Sequence, residues 1–355
     1  MDRALASDDA QPTPDAQPTP VAGTTAPALP SPPPAPLRPR PGTRAAAWAA
    51  GLLLVVPAVV AGCKAYGTDG VTPVPQLLSL LPWLTVPAAL GVLCAAASRH
   101  RPLTFLAVLV LAFTAWTTLP PMLVYSYGPP LARIRVIAAN VEFGQATGSL
   151  VDLARREKPQ LLYVSECDPR CARTLTAALS RQLPHRVSVD EEGSKGSVIL
   201  SAYPLRDRSA VPATMGMPGA TAEIAGRAVR LQLAHPMPPL PDQVGLWKTE
   251  LARLHAEITS RPADEALVLA GDFNASQDHA AYRAFLTSPS LLDAARVTGA
   301  SRTPTWPAEG PLPPYVQIDH VLSSHTLTPV ATRFLPLPGS DHRAVLADLD
   351  LHEGR

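Results

Sequence analysis

The sequence has no cluster of basic residues and no internal repeat. Its 30 lysines and arginines nearly balance 29 aspartates and glutamates, for a formal net charge of +1. Without a basic patch a nucleic-acid partner is not favoured, and without a fixed period a solenoid or propeller is excluded. Cysteine is also scarce, with four in 355 residues.

The four cysteines fall into two pairs with different surroundings. Cys63 and Cys94 lie in long apolar stretches and are interpreted as small apolar residues. The segment VAGC at 60–63 also resembles a lipoprotein cleavage box, but the long tail before it and the apolar stretches after it argue against cleavage. Cys167 and Cys171 are one helical turn apart, and either a disulfide or two free thiols is compatible with that spacing.

The first part of the chain has little apolar surface. The 42 prolines are most concentrated in residues 1–44, beside alanine, threonine and other small residues. Such a composition does not offset the entropy lost on ordering the chain. We therefore predict a disordered tail over residues 1–44.

Three long stretches then lack charged side chains: Ala45–Cys63, Val71–Ser98 and Pro102–Ala132. Each reaches or approaches the length of about 20 residues with which a helix crosses a hydrocarbon core. Pro57, Pro82 and Pro87 would kink such helices without preventing them. We predict three transmembrane helices within residues 45–132.

The charges between these stretches predict their orientation. Arg38, Arg40 and Arg44 precede the first stretch, Arg99 and Arg101 separate the second from the third, and the remaining loop carries Lys64 and Asp69. The positive-inside rule then places the N-terminus in the cytoplasm and residues 133–355 outside it. We predict a multi-pass cell-membrane protein with an extracytoplasmic domain. A membrane scaffold or transport role gains no support, because no charge lies within the stretches.

From residue 133 onward, short strand patterns alternate with turns and a few amphipathic helices. Residues 134–140 predict a strand, 148–159 a helix ended by Pro159, and 160–166 the next strand. Later strand patterns cover 196–204, 220–226, 227–235, 265–274, 317–324 and 342–351, and a helix pattern covers Gln243–Ile258. So many strands with interspersed helices predict two packed sheets with helices outside them.

Polar side chains recur at the ends of these predicted strands. They are Asn140, Glu166, His235, Asp272, Asn274, Asp319, His320, Asp341 and His342. Each alone has an ordinary explanation as a turn former or helix cap. Together they form a set of carboxylates, amides and imidazoles that would converge at one edge of the sandwich.

Six segments carry a resemblance to the endonuclease/exonuclease/phosphatase superfamily, the DNase I-like phosphoesterases. They are AANVEFG, LLYVSE, GSVILSAYPL, LAGDFNAS, IDHVLSS and GSDHRAV, in the family's order. The apolar N-terminal stretches make the chain similar to membrane-anchored bacterial members, including VanJ-type teicoplanin-resistance proteins. The resemblance implies an α+β fold, a four-layer α/β/β/α sandwich over residues 133–355, and metal-dependent hydrolysis of a phosphoric ester.

The resemblance also implies a metal site. Glu166, which matches the family's metal glutamate, would hold a divalent cation together with Asn140 and Asp341. Oxygen ligands of this kind suit Mg²⁺ or Mn²⁺ and argue against a thiolate zinc site.

Five further residues take catalytic roles through the resemblance. Asp272 would orient or deprotonate the attacking water, and Asn274 would donate to a phosphate oxygen from the same face of an extended strand. His342 would contact the phosphate, with Asp319 accepting its other N–H, and His235 would lie near the phosphoryl or leaving oxygen. His320 should face the opposite side of its strand, in a structural role.

Some positions depart from the family pattern. The basic residue that usually follows the metal glutamate is absent unless Arg170 or Arg173 replaces it, and Ala202 stands where many relatives carry arginine. Three aromatic residues would either line a substrate mouth or pack in the interior: Tyr203, Trp306 and Tyr315.

The membrane prediction bears on the substrate. A phosphorylated substrate held at the bilayer, such as a lipid-linked envelope intermediate, is favoured by location alone. A surface nuclease is the alternative enzyme, disfavoured by the lack of a basic groove. A catalytically silent module that binds phosphorylated envelope ligands is the alternative outside enzymes, and the full set of site residues argues against it.

Overall fold

The computed structural model describes residues 41–119 and 128–353. Residues 1–40 of the predicted tail lie outside the described residues, whereas residues 41–44 begin the first helix. Four helices come first: α1 (Pro41–Ala65), α2 (Val74–Ser79), α3 (Thr85–Ala97) and α4 (Arg101–Thr118), with a 3₁₀ turn at Leu81–Leu84.

The second apolar stretch does not form one long helix. It divides into α2, the 3₁₀ turn and the 13-residue α3. Pro75 and Pro82 each lie in the first turn of a new helical segment, because proline lacks the N–H and clashes with a preceding turn. Within the described residues, two helices are long and apolar enough to cross a membrane, Gly42–Ala65 and Arg101–Thr118. The prediction of three transmembrane helices is therefore not confirmed.

In the helical set, α1 and α4 run parallel and α3 runs antiparallel to both. Ala50 and Leu54 of α1 contact Ala95 of α3 and Ala107 of α4. A Cβ on Gly91 would lie 2.8 Å from Leu54 Cγ, so glycine permits the close approach of α3 to α1. Since α3 runs back along α1, the arginines at 44, 99 and 101 share one end of the set.

Two six-stranded sheets form the rest of the structure. The first has the order β11-β12-β1-β2-β4-β3 and the second the order β5-β6-β7-β8-β10-β9. The strands are β1 (Ala132–Asn140), β2 (Leu161–Ser165), β3 (His185–Val189), β4 (Ser197–Ser201), β5 (Leu205–Val211), β6 (Met217–Ile224), β7 (Arg227–Ala234), β8 (Ala266–Asp272), β9 (Leu292–Asp293), β10 (Asp319–Ser323), β11 (Leu327–Leu335) and β12 (Ala344–Leu351).

Helices cover the outer face of each sheet. They are α5 (Thr147–Glu157), α6 (Pro169–Ala178), α7 (Val244–Thr259) and α8 (Ala280–Thr287), whereas Ala294 of the short α9 (Ala294–Val297) packs in the core between the sheets. Leu150 of α5 and Leu175 of α6 pack on the first sheet, and Trp247 of α7 and Phe285 of α8 pack on the second. A third apolar core fills the space between the sheets. This arrangement confirms the predicted α/β/β/α sandwich.

The ends of α1 and α4 contact the second-sheet side through a buried ion network. Asp278 accepts hydrogen bonds from Lys64 Nζ at 2.5 Å and from Arg302 Nη1 at 2.6 Å. Arg302 also donates to the Thr117 and Thr118 carbonyls at the end of α4. The Asp278 carboxylate is buried beside two cations. It is stable there only because these hydrogen bonds replace the ones it would make to water.

The Asp278 carboxyl predicts an acid sensitivity. Burial alone would raise the pKa of Asp278, but hydrogen bonds from Arg302 and the charges of Arg302 and Lys64 outweigh burial and lower it. A depressed pKa stabilises the fold above the unfolded value of about 3.9, and that stability is lost as the pH falls through the folded value. We expect the Tm difference between the wild type and Asp278→Asn to shrink as thermal unfolding is measured from about pH 6 to about pH 3. A constant difference would contradict this assignment.

Candidate active site

Strand register brings the predicted site residues to one edge of the sandwich. In the first sheet Asn140 pairs with Ser165, so Glu166 follows at the same level. In the second, Asp272 pairs with Asp319 across β8 and β10. His235 follows Ala234, which pairs with Gly271, so it enters beside Asp272. Gly271 has φ +141°, and a Cβ there would meet the Ala234 carbonyl oxygen at 2.3 Å, which explains glycine before Asp272.

His342 and Asp319 form a buried pair. The Nδ1 atom of His342 lies 2.9 Å from Asp319 Oδ2, and its Nε2 lies 3.8 Å from Asp272 Oδ2. Burial alone would lower the pKa of His342, but the charges of Asp319 and Asp272 raise it to about 10. The imidazole is therefore a cation near pH 7, with Nε2–H toward Asp272.

Asp272 is a buried carboxyl beside a second one. Burial and the charge on Asp319 raise the pKa of Asp272 to about 7, although His342 and hydrogen bonds oppose them. The Asn274 backbone N–H donates to Oδ1 at 2.8 Å, and Asn140 Nδ2 donates to Oδ2 at 3.2 Å. A carboxyl with a pKa near working pH is suited to accept a proton from water.

His235 is neutral where His342 is charged. Its side chain is fully buried, and neither ring nitrogen has a hydrogen-bond partner among the described residues. Burial and the positive charge of His342 lower the pKa of His235 to about 3. A buried imidazole without partners is one that a ligand can satisfy.

Glu166 and Asp341 place carboxylates in the cleft that Asp272 and His342 also line. Glu166 has a left-handed backbone, φ +56°, and accepts hydrogen bonds from Asn140 Nδ2 at 3.1 Å and the Phe143 N–H at 3.1 Å. Asp341 Oδ2 accepts from Trp306 Nε1 at 2.8 Å. These contacts fix both carboxylates while leaving lone pairs free.

Asn274 is in the cleft for a different reason from the one predicted. It lies beyond β8 with φ +46°, so a left-handed turn, and not the two-residue period of a strand, brings it to the same side as Asp272. Its Nδ2 donates to the Pro236 carbonyl at 3.0 Å. This bond ties the strand end to the loop after His235.

The residues that form this site lie within a segment that matches a known protein family. The sequence profile of the endonuclease/exonuclease/phosphatase family matches residues 137–342, which span Asn140 through His342. The chain belongs to this family. It is a phosphoric ester hydrolase, and the family depends on a divalent metal. No curated protein sequence matches the chain.

Solved structures of the family share the fold. TDP2 of D. rerio, in complex with a single-stranded DNA product, is 14% identical, with 62% of this chain and 99% of that chain covered and a TM-score of 0.51. An endonuclease/exonuclease/phosphatase from Bacteroides vulgatus is 15% identical, with 62% and 100% covered and a TM-score of 0.50. Identities this low show the fold alone.

The carboxylates fit the metal that the family requires. Ligand atoms of Asp272, Asp319 and His342 lie within 4.8 Å of one another, and the Nδ1 atom of His342 is already paired with Asp319. Glu166 and Asp341 present hard oxygen ligands to the same cleft, and would hold the cation. A bound cation would neutralise these carboxylates and polarise a phosphoryl oxygen. Asn140 donates to Glu166 here, and its role as a ligand stays a prediction.

Asp272, Asp319 and His342 are in contact in the arrangement that the predicted chemistry needs. Asp272 would hold the attacking water and take its proton, while the His342 cation would offer Nε2–H to the charge that develops on phosphorus oxygens. Asp319 keeps that cation oriented through the 2.9 Å bond to Nδ1. His235 is fully buried and is not among the residues that line the cleft, so its contact with a phosphoryl or leaving oxygen stays a prediction. No step requires a covalent intermediate on the protein.

Other predictions about the hydrolase site have mixed outcomes. Cys167 and Cys171 form a disulfide directly after Glu166. Arg170 and Arg173 are exposed and do not line the cleft, so neither replaces the family's basic residue there. Trp306 and Tyr315 line the cleft, whereas Tyr203 packs against the core between the sheets.

His320 lies on the other side of β10, as predicted. Its Nε2 bonds to the Ala275 carbonyl at 3.0 Å, and its ring packs on Phe273 and Tyr282. It is therefore part of the interior of the phosphoesterase.

Sequence reasoning missed the part that Ser340 plays. Its fully buried hydroxyl donates to the Asn140 carbonyl at 2.8 Å and accepts the His342 N–H at 3.0 Å. Ser340 thus joins the first and last motifs of the phosphoesterase. In sequence it is indistinguishable from an ordinary turn serine.

We expect Ser340→Ala to destabilise the enzyme by about 1–3 kcal/mol, because two buried backbone groups lose their partner. It should also lower kcat by about tenfold, since the group that positions His342 is lost. Thermal unfolding and initial rates measure the two effects. Ser180→Ala, at an exposed serine after α6, is the control and should change neither. Full activity in Ser340→Ala would contradict the positioning role.

Proposed function

We propose that the chain is a membrane-anchored phosphoesterase that hydrolyses a phosphate ester or anhydride outside the cytoplasm. The observation that carries the chemistry is the buried Asp272–Asp319–His342 set beside the Glu166 and Asp341 carboxylates in one cleft. Mg²⁺ or Mn²⁺ is the cofactor, because these metals prefer oxygen ligands.

The membrane anchor is supported by the outward surface of the helices. Large apolar side chains are exposed along α1 and α4, including Trp48 at 77%, Leu52 at 75% and Phe105 at 66%. An exposed apolar surface of this extent is costly in water and favourable in lipid. The arginines at one end of the helices favour that end in the cytoplasm and the sandwich outside.

The location suggests the substrate. A phosphoesterase fixed at the outer surface would act on lipid-linked envelope intermediates, and the resemblance to VanJ-type proteins supports a role in glycopeptide resistance. DNA is the alternative substrate, consistent with the DNA complex of D. rerio TDP2. Few cations line the cleft to bind a nucleic-acid backbone.

The test uses the full chain in detergent with Mg²⁺ or Mn²⁺. Substrates are a nitrophenyl phosphodiester, undecaprenyl pyrophosphate and DNA, beside Asp272→Ala and His342→Ala. We expect metal-dependent turnover of the lipid substrate that EDTA and both variants abolish. Turnover of DNA alone would favour the nuclease, and equal rates in all three proteins would refute the enzyme. A C-terminal reporter active only in the cytoplasm would overturn the topology.

A further inference from the structure

The active-site cleft has a wall made by the segment between α1 and α3. The cleft has a volume of about 470 Å³, and its lining includes Gln76 and Ser79 of α2 and Leu80 just after it. In the sequence, α3 and α4 lie between these residues and the first strand of the sandwich. The two-sheet domain alone would therefore leave its own cleft open on this side.

Hydrogen bonds fix this wall to the loops that form the rest of the cleft. Gln76 Nε2 donates to the Pro239 carbonyl at 2.5 Å, and Trp83 Nε1 donates to the Tyr315 carbonyl at 3.2 Å. His279 Nε2 lies 2.8 Å from the Pro75 carbonyl. Contacts at both ends of the segment hold its backbone in place.

The start of α8 holds the loop before α2. Asp69, which is buried, accepts the backbone N–H groups of Ala280 and Ala281 at 2.5 and 3.0 Å. Lys248 donates to the Gly70 carbonyl. The segment is thus anchored at the loop before it as well as along its length.

The wall offers a substrate one polar contact and an apolar surface. Gln76 Oε1 is buried and has no hydrogen-bond partner among the described residues, so it can accept a hydroxyl or water. Leu80 faces the cleft together with Met215 and Leu240. These apolar groups line the same cleft as the Glu166 and Asp341 carboxylates, so they can contact the organic part of a phosphate ester bound there.

The apolar surface continues from the cleft onto the helices. Trp83 is 50% exposed in the 3₁₀ turn, and Val86 and Leu90 of α3 are 57% and 48% exposed. An exposed apolar path from a cleft to apolar helices fits a hydrocarbon chain better than a sugar or a base. A chain bound there would remain partly in the bilayer while its phosphate reaches the carboxylates.

We propose that Gln76, Ser79 and Leu80 belong to the substrate site, and that Leu80 determines specificity by contacting the hydrocarbon part of an amphiphilic phosphate. The inference rests on the proposed phosphoesterase function and adds the residues that select the substrate. The substrate class is a phosphate ester or diphosphate with a long alkyl or prenyl chain. Leu80 acts by apolar contact and takes no part in proton transfer.

The test compares chain lengths at a constant reacting group. The full chain in one detergent is given methyl and hexadecyl 4-nitrophenyl phosphate, and separately methyl and hexadecyl diphosphate. The readout is the ratio of kcat/KM for the long chain to that for the short chain. We expect Leu80→Gln to lower this ratio by about tenfold or more, because a polar group replaces an apolar contact. Val330→Gln, at an exposed position on β11, is the matched control and should keep the wild-type ratio.

Each outcome bears on one of the two proposals. A Leu80→Gln ratio within about twofold of wild type would overturn the inference, because uniform binding changes cancel in the ratio. If wild type hydrolyses short probes but not long ones, the inference fails and the phosphoesterase remains. If it hydrolyses none, the proposed function fails as well. Leu80→Ala, a smaller change, gives the same reading with a lesser fall if Leu80→Gln does not fold.

Discussion

Asp272→Asn should lower kcat by about 10³-fold, the usual contribution of a positioned general base. The amide keeps the size of the carboxylate, and its one oxygen can accept from the Asn274 N–H, but its NH2 group can neither accept from Asn140 nor take a proton. Burial and Asp319 disfavour the charged form of Asp272. In EDTA the variant should therefore unfold at the wild-type temperature or above it.

Initial rates with saturating substrate and thermal unfolding separate these effects. Asp264→Asn, at an exposed aspartate before β8, is the control and should retain wild-type kcat. If Asp272→Asn keeps more than about a tenth of wild-type kcat, Asp272 is not the base. A low kcat with a lowered unfolding temperature would indicate a structural loss instead.

Asp278→Ala should destabilise the protein by about 3–5 kcal/mol, because it leaves two buried cations without their carboxylate. Lys64 and Arg302 both contact Asp278, and their side chains are 13% and 18% exposed. Asp278 also orients Arg302, which donates to the Thr117 and Thr118 carbonyls at the end of α4. Thermal unfolding of the full chain in detergent measures the effect.

The exposed pair Arg186–Asp190 gives the matched control. Its atoms lie 3.4 Å apart and its side chains are 35% and 50% exposed, so Asp190→Ala should change stability by less than about 1 kcal/mol. Equal effects of the two substitutions would mean that the buried network contributes no more than a surface pair. Restored stability in Asp278→Glu would support the charge assignment.

Local patterns predicted the strands that carry the site. Residues 134–140 and 160–166 became β1 and β2 almost unchanged, because alternating or continuous apolar runs specify a buried strand. The edge strand β5 was not predicted, since five of its seven residues are exposed. An edge strand buries little apolar surface and so has a weak sequence pattern.

The motifs predicted which residues meet, but not how they contact one another. Asp272 and Asp319 occupy predicted strand ends, and their pairing follows from register. The Trp306–Asp341 and Ser340–Asn140 hydrogen bonds join residues far apart in sequence. No local period encodes such contacts, so only the folded chain reveals them.

The sequence showed that the N-terminal part is apolar, but it did not show that the second apolar stretch divides into shorter helical segments. The stretch Val71–Ser98 is uncharged, but Pro73, Pro75 and Pro82 divide its helical segments. Hydropathy reports the free energy of transferring side chains from water to an apolar phase. It does not indicate where a proline ends one helix and begins the next. The same restart turns Gln76 and Leu80 toward the cleft instead of along one long helix.

The position of β12 sets when the enzyme becomes competent during its synthesis. β12 lies between β11 and β1, and Ala132 pairs with Leu351. Closing a loop of that length is slow, and the first sheet stays open until β12 has been made. His342, two residues before β12, reaches Asp319 in the same event. A nascent chain that lacks β12 is therefore unable to hydrolyse its substrate.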